Sequence, residues 1–143
     1  MRFFGEGYVY GLRSIDLRQA DPGSEGLQLG RLIVPGRIEL YEQRASPWYL
    51  AGRLSAQESR RLEAAGARLD QGESSLVVTW PERALEEFLL IDVLMHEVGH
   101  HLLQHHKGKR LARVARTRDH ESFAERFARR CRARFENHRE LFD

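Results

Sequence analysis

Apolar and polar residues alternate with a period of two through much of the first half of the chain, then shift to a helical period in the second. Residues 7–17 mix Tyr8, Val9, Tyr10, Leu12, Ile15 and Leu17 with polar positions, and residues 27–34 are similar. Arg37-Ile38-Glu39-Leu40-Tyr41 alternates strictly, and residues 76–80 are β-branched and apolar. These four stretches predict strands. Asp21-Pro22-Gly23-Ser24, Pro35-Gly36 and Gln71-Gly72 punctuate them as loops and turns, and residues 44–54, with Pro47 and Trp48, read as an ordered loop. A helix is expected after Ser55, which has capping-box spacing to Glu58, with Gly66 suited to the position just past its end.

The second half reads as helix. Pro81 and the acidic Glu82, Glu86 and Glu87 suit a helix start. Ala84, Leu85, Phe88, Leu89, Ile91, Leu94, Met95, Val98 and Leu102 cover most of the circumference, so this helix should be buried on several sides and end near Lys107-Gly108. Residues 110–116 suggest a short helix. Residues 118–138 suggest a longer amphipathic one, with Phe123, Phe127 and Cys131 four apart and Ala124 and Ala128 beside them. The expected fold is α+β: a single domain over residues 1–143, with a twisted, mostly antiparallel sheet packed by the buried helix and the C-terminal helix.

Composition removes whole classes of protein. The chain has 143 residues, 41% hydrophobic and 31% charged, with a mean hydropathy of −0.56. That is a folding composition, on a chain long enough to bury a core without staples. The longest apolar run, residues 88–95, is broken by Asp92 and too short to span a bilayer. Cys131 is the only cysteine, so no intramolecular disulfide can form. Residues 1–7 have no signal-peptide core, which makes a reducing cytoplasm the expected location. A net charge of +2 hides an asymmetry: residues 1–106 carry 11 basic and 15 acidic side chains, whereas residues 107–134 carry 11 basic against three acidic. Such a run is ordinarily a solvated helix face, and its other expected use is weak, non-specific contact with nucleic acid.

His96-Glu97-Val98-Gly99-His100 carries the chemistry. Histidines four apart on a helix lie ~40° apart around the axis and one turn along it, so both imidazoles can reach one ion. Glu97 points ~100° from His96 and can take a proton from a zinc-activated water without occupying a coordination position. Chance alone gives only ~0.035 such matches in a chain of this composition. A catalytic zinc needs a third protein ligand and one open position. His106, His120 and Glu121 are the candidates. On a continuous helix His106 would lie roughly 240° from His100, facing away. Neither methionine follows the motif, so no downstream methionine turn is available.

The stretch from His96 to Ala128 resembles the gluzincin metallopeptidases, specifically the small intracellular ImmA/IrrE-like group, through HEVGH and the later Glu121-Ser122-Phe123-Ala124-Glu125-Arg126-Phe127-Ala128. The resemblance covers about residues 94–128. It implies one zinc ion (Zn2+) per chain held by His96, His100 and Glu121, with Glu97 as general base and Glu125 orienting a zinc histidine. It also implies an edge strand that aligns an extended peptide, for which residues 76–80 are the candidate. Two features depart from the group: no room for its frequent helix-turn-helix module, and the arginine-rich residues 107–118. A likeness to SprT-like proteases would instead recruit His120. His101 and His105, a second pair four apart, are expected to be solvated or to face substrate. His120, His101 or an arginine is the candidate oxyanion partner. The expected function is zinc-dependent hydrolysis of peptide bonds in a protein or peptide substrate. The alternative is a non-catalytic zinc-containing regulatory or nucleic-acid-binding domain using residues 107–134.

Overall fold

In the computed structural model, which describes residues 2–19, 27–106 and 118–141, α and β elements are mixed. They gather into two compact units, one of residues up to Glu42 and from Leu90 onward, the other Gln43–Leu89. Each unit has its own three-stranded sheet, where one continuous sheet was expected. Alternation of period two identifies strands but says nothing about which strands pair.

In the first unit β1 (Ser14–Arg18), β2 (Gly30–Ile33) and β3 (Arg37–Tyr41) lie in the order β1-β3-β2. β3 takes the centre because both of its faces are buried, Ile38 and Leu40 on one and Glu39 and Tyr41 on the other. β2 and β3 form an antiparallel hairpin across Val34-Pro35-Gly36, whose glycine adopts φ 71°. β1 runs parallel to β3, placing Ile15 beside Ile38 and Leu17 beside Leu40. The expected strand over residues 7–17 is therefore shorter, because Glu6–Val9 forms a 3-10 turn and Gly11 turns the chain at φ 78°.

On the other face of this sheet, Arg18, Arg31 and Arg37 surround the buried Glu39. Arg31 Nη2 lies 2.8 Å from its carboxylate and Arg31 Nε donates to it at 2.9 Å. Burial alone would raise the Glu39 pKa; the Arg31 hydrogen bond and the three guanidinium charges outweigh it and hold the carboxyl below its ordinary value.

The second unit contains β4 (Trp48–Ala51), α1 (Ala56–Ala64), β5 (Arg68–Gln71) and β6 (Ser75–Thr79), with sheet order β4-β6-β5. β4 lies inside residues 44–54, which were expected to be loop; four residues following Pro47 are too few to show a period. β6 is the clearest strand in the sequence, yet it is central and antiparallel to a neighbour on either side. It has no free edge, so the expected role of residues 76–80 in pairing with a peptide is corrected here. Trp48 meets Trp80 edge-on and Trp80 stacks on Phe88, with ring centroids 5.2 and 5.0 Å apart. The capping box is formed as expected: Ser55 Oγ accepts from Glu58 N–H at 3.2 Å, and Glu58 Oε2 accepts from Ser55 N–H at 2.8 Å. Gly66 follows α1 at φ 96°.

Candidate metal centre

The helix carrying HEVGH starts later than the sequence suggests. A single turn, α2 (Ala84–Glu87), leads into a π-helical stretch, Phe88–Val93, before α3 (Leu94–His106) begins. In α3 the residues from Leu94 to Leu102 are all buried, as an apolar circumference demands. His96, Glu97 and His100 are buried with them, at 8%, 3% and 1% exposure. Polar groups at such depth are costly unless they are partnered.

The partner comes from α4 (Arg118–Glu136), which packs against α3. Contacts run in opposite chain directions along the two helices: Asp92 with Arg132, Gly99 with Ala124, His100 with Glu121. The pair is thus antiparallel. Arg132 Nη2 binds the Asp92 carboxylate, both side chains mostly buried, and closes one end. In the middle, a Cβ placed on Gly99 would lie 2.9 Å from Ala124 Cα and 3.3 Å from Ala124 Cβ. Only a glycine against a small residue permits backbones this close.

That approach delivers Glu121 to the histidines. His96 Nε2 and His100 Nε2 are 3.1 Å apart, Glu121 Oε2 is 3.3 Å from the first, and Glu121 Oε1 is 3.5 Å from the second. Donor atoms sharing a tetrahedral zinc at ~2.0–2.2 Å are roughly 3.3–3.5 Å apart. The two histidine–carboxylate separations, each to a different Glu121 oxygen, match that spacing, and the two imidazole nitrogens are slightly closer than it. Two imidazole nitrogens and one carboxylate oxygen are also the donor set of a catalytic site that keeps one position open. The Glu121 side chain is 37% exposed whereas that of His100 is fully buried, so solvent reaches the cluster from the α4 side. Among the described residues, His96, His100 and Glu121 form the one group of three whose ligand atoms converge.

The other candidates fall as follows. His120 is buried and outside this cluster, while Glu125, one turn past Glu121, is half-buried. His101 is buried at 4% exposure, its Nε2 donating to the Tyr10 carbonyl at 3.0 Å, which corrects its expected solvation. His138 is exposed, as expected. Cys131 is buried; burial pushes its thiol up to about 11 against the pull of Arg130 and Arg134, which keeps it protonated at neutral pH. The His106 side chain, the expected helix over 110–116 and the basic positions in 107–117 lie outside the described residues. Arg126, Arg129, Arg130 and Arg134 are exposed on α4, a solvated face, but Arg132 is turned inward to Asp92.

Sequence reasoning missed Gly99, Asp92 and Arg132. Gly99 tests the helix approach directly. Gly99→Ala gains up to about 1 kcal/mol of helix propensity, but its methyl overpacks the interface at a cost of roughly 1–3 kcal/mol. The expected outcome is a protein that folds, with slightly lowered thermal stability and zinc affinity weakened at least tenfold as Glu121 retreats. Adding Ala124→Gly should not restore affinity, because the nearest atom to the new methyl is the Ala124 Cα. Unchanged zinc affinity in Gly99→Ala would contradict this role.

Comparison of the chain with protein-family models, curated proteins and solved structures returns no match in any of the three.

Proposed function

We propose that the protein is a zinc-dependent peptidase of the gluzincin type, acting on protein or peptide substrates in the cytoplasm. The observation that supports it is the convergence of His96, His100 and Glu121, from two helices, with donor atoms 3.1–3.5 Å apart, close to the spacing around one tetrahedral ion. Zinc, when bound, supplies Lewis acidity toward a carbonyl oxygen and lowers the pKa of a bound water toward ~7. The chain's own residues supply the rest. His96 and His100 stand on a helix buried without a break from Leu94 to Leu102. Glu121 closes the ligand set from the solvent side. Glu97, buried beside His96, is the proton carrier: it takes a proton from the attacking water and delivers it to the departing amine. Among the described residues no helix is long and apolar enough to cross a membrane.

The test is cleavage of an unstructured substrate such as casein. Cleavage should stop on treatment with 1,10-phenanthroline and return on adding one equivalent of zinc. Cleavage that survives complete metal removal would overturn the proposal.

A further inference from the structure

One face of α3 remains unused by the metal centre. His101, Gln104 and His105 lie at the i, i+3, i+4 spacing that lines up side chains on a helix, turned ~100° from His96 and His100. They form one wall of a cavity of about 560 Å³. The opposite walls are two backbone turns, the one leading into β1 and the Val34-Pro35-Gly36 hairpin turn. None of His96, Glu97, His100 and Glu121 lines it.

Two glycines shape this space. Any side chain on Gly36 would strike the Gly11 carbonyl oxygen, 2.3 Å from where its Cβ would sit. A Cβ on Gly11 would lie 3.1 Å from His105 Nδ1. Both adopt positive φ, so the turns meet backbone to backbone and the imidazoles come up against main chain. His101 ties helix to turn: a carbonyl only accepts, so the Nε2 facing Tyr10 O carries the proton. The ring of Tyr10 stands edge-on to His105, centroids 5.1 Å apart.

The chemistry of the lining is one-sided. The basic side chains in it are Arg13, His101 and His105, and no carboxylate is present. Leu12, Val34 and Pro35 supply an apolar surface. A concave, largely apolar space of several hundred Å³ with a few polar groups is the usual form of a small-molecule site. Arg13, exposed at the rim, offers the fork of N–H donors that matches a carboxylate or phosphate. We propose that this cavity binds a small organic anion, its charged group at Arg13 and its apolar body against Leu12, Val34 and Pro35, at a site separate from the metal centre.

The experiment titrates metal-free full-length protein with phenylacetate, phenyl phosphate and the neutral phenylacetamide, by calorimetry and by the imidazole NMR signals of His101 and His105. The expected result is binding of at least one anion about tenfold or more tighter than the amide, with both histidine signals shifting. The tighter of the two anions identifies the charged group as carboxylate or phosphate. Arg13→Gln, at an exposed position that leaves the fold alone, should erase the preference for the anion. His105→Gln should weaken all three ligands by removing a wall. In Glu121→Ala the affinities should be unchanged, so failure of the metal proposal would leave this one standing. Three results would overturn it: no binding up to roughly 10 mM, an anion preference that survives Arg13→Gln, or binding lost in Glu121→Ala, which would place the probe at the metal centre.

Discussion

Glu121→Ala should abolish high-affinity zinc binding, whereas His120→Ala should retain it. The two residues are adjacent, and adjacent helical side chains point ~100° apart, so one position on α4 faces the His96–His100 pair and its neighbour does not. The structure places the Glu121 carboxylate 3.3 and 3.5 Å from the two imidazole nitrogens and leaves His120 outside that group. Loss of residues that merely orient a zinc ligand costs about 10–100-fold in affinity, and loss of a ligand should exceed that. A competition titration with a chromophoric chelator should therefore show zinc affinity falling more than ~100-fold in Glu121→Ala. His120→Ala should bind zinc within a few-fold of the parent. Glu121→Asp, which keeps the charge on a shorter side chain, should be intermediate. Zinc lost with His120 and kept without Glu121 would move the site to a three-histidine type.

Glu97→Gln should separate metal binding from hydrolysis. The substitution preserves shape at a position with 3% exposure and removes only the ability to accept and return a proton. General acid–base catalysis contributes roughly 10²–10⁴-fold, so the cleavage rate should fall at least ~100-fold while one zinc remains bound. Circular dichroism should show an unchanged fold. A Glu97→Gln protein that cleaves casein at the parental rate would remove Glu97 from the mechanism and require another group to carry the proton.

What the chain discloses in advance depends on sequence separation. The His96–His100 spacing and the Ser55–Glu58 capping box are local, within one helical turn, and both could be read from their periods. Burial of α3 followed from an apolar pattern that leaves no polar face. The meeting of α3 with α4 is different: Gly99 and Ala124 are 25 positions apart, and nothing local says that one backbone rests on the other. A signal was nonetheless present. Asp92 interrupts an apolar run one turn before His96, and Arg132 stands about three turns past Glu121, on the same helical face. That arginine was hidden among neighbours that are exposed. Sheet pairing was the least legible. β1 lies parallel to β3 with β2 on the far side, and β6 is central, because strand order depends on burial of both faces and on connections that a period of two does not encode.

His96, His100 and Glu121 should together hold one metal ion. The decisive measurement is elemental analysis of the protein purified without chelators or added metal, with Glu121→Ala purified in parallel. About one zinc per chain is expected in the parent, and little or none in the variant. A parent protein that carries no transition metal and takes up none when zinc is offered would contradict it.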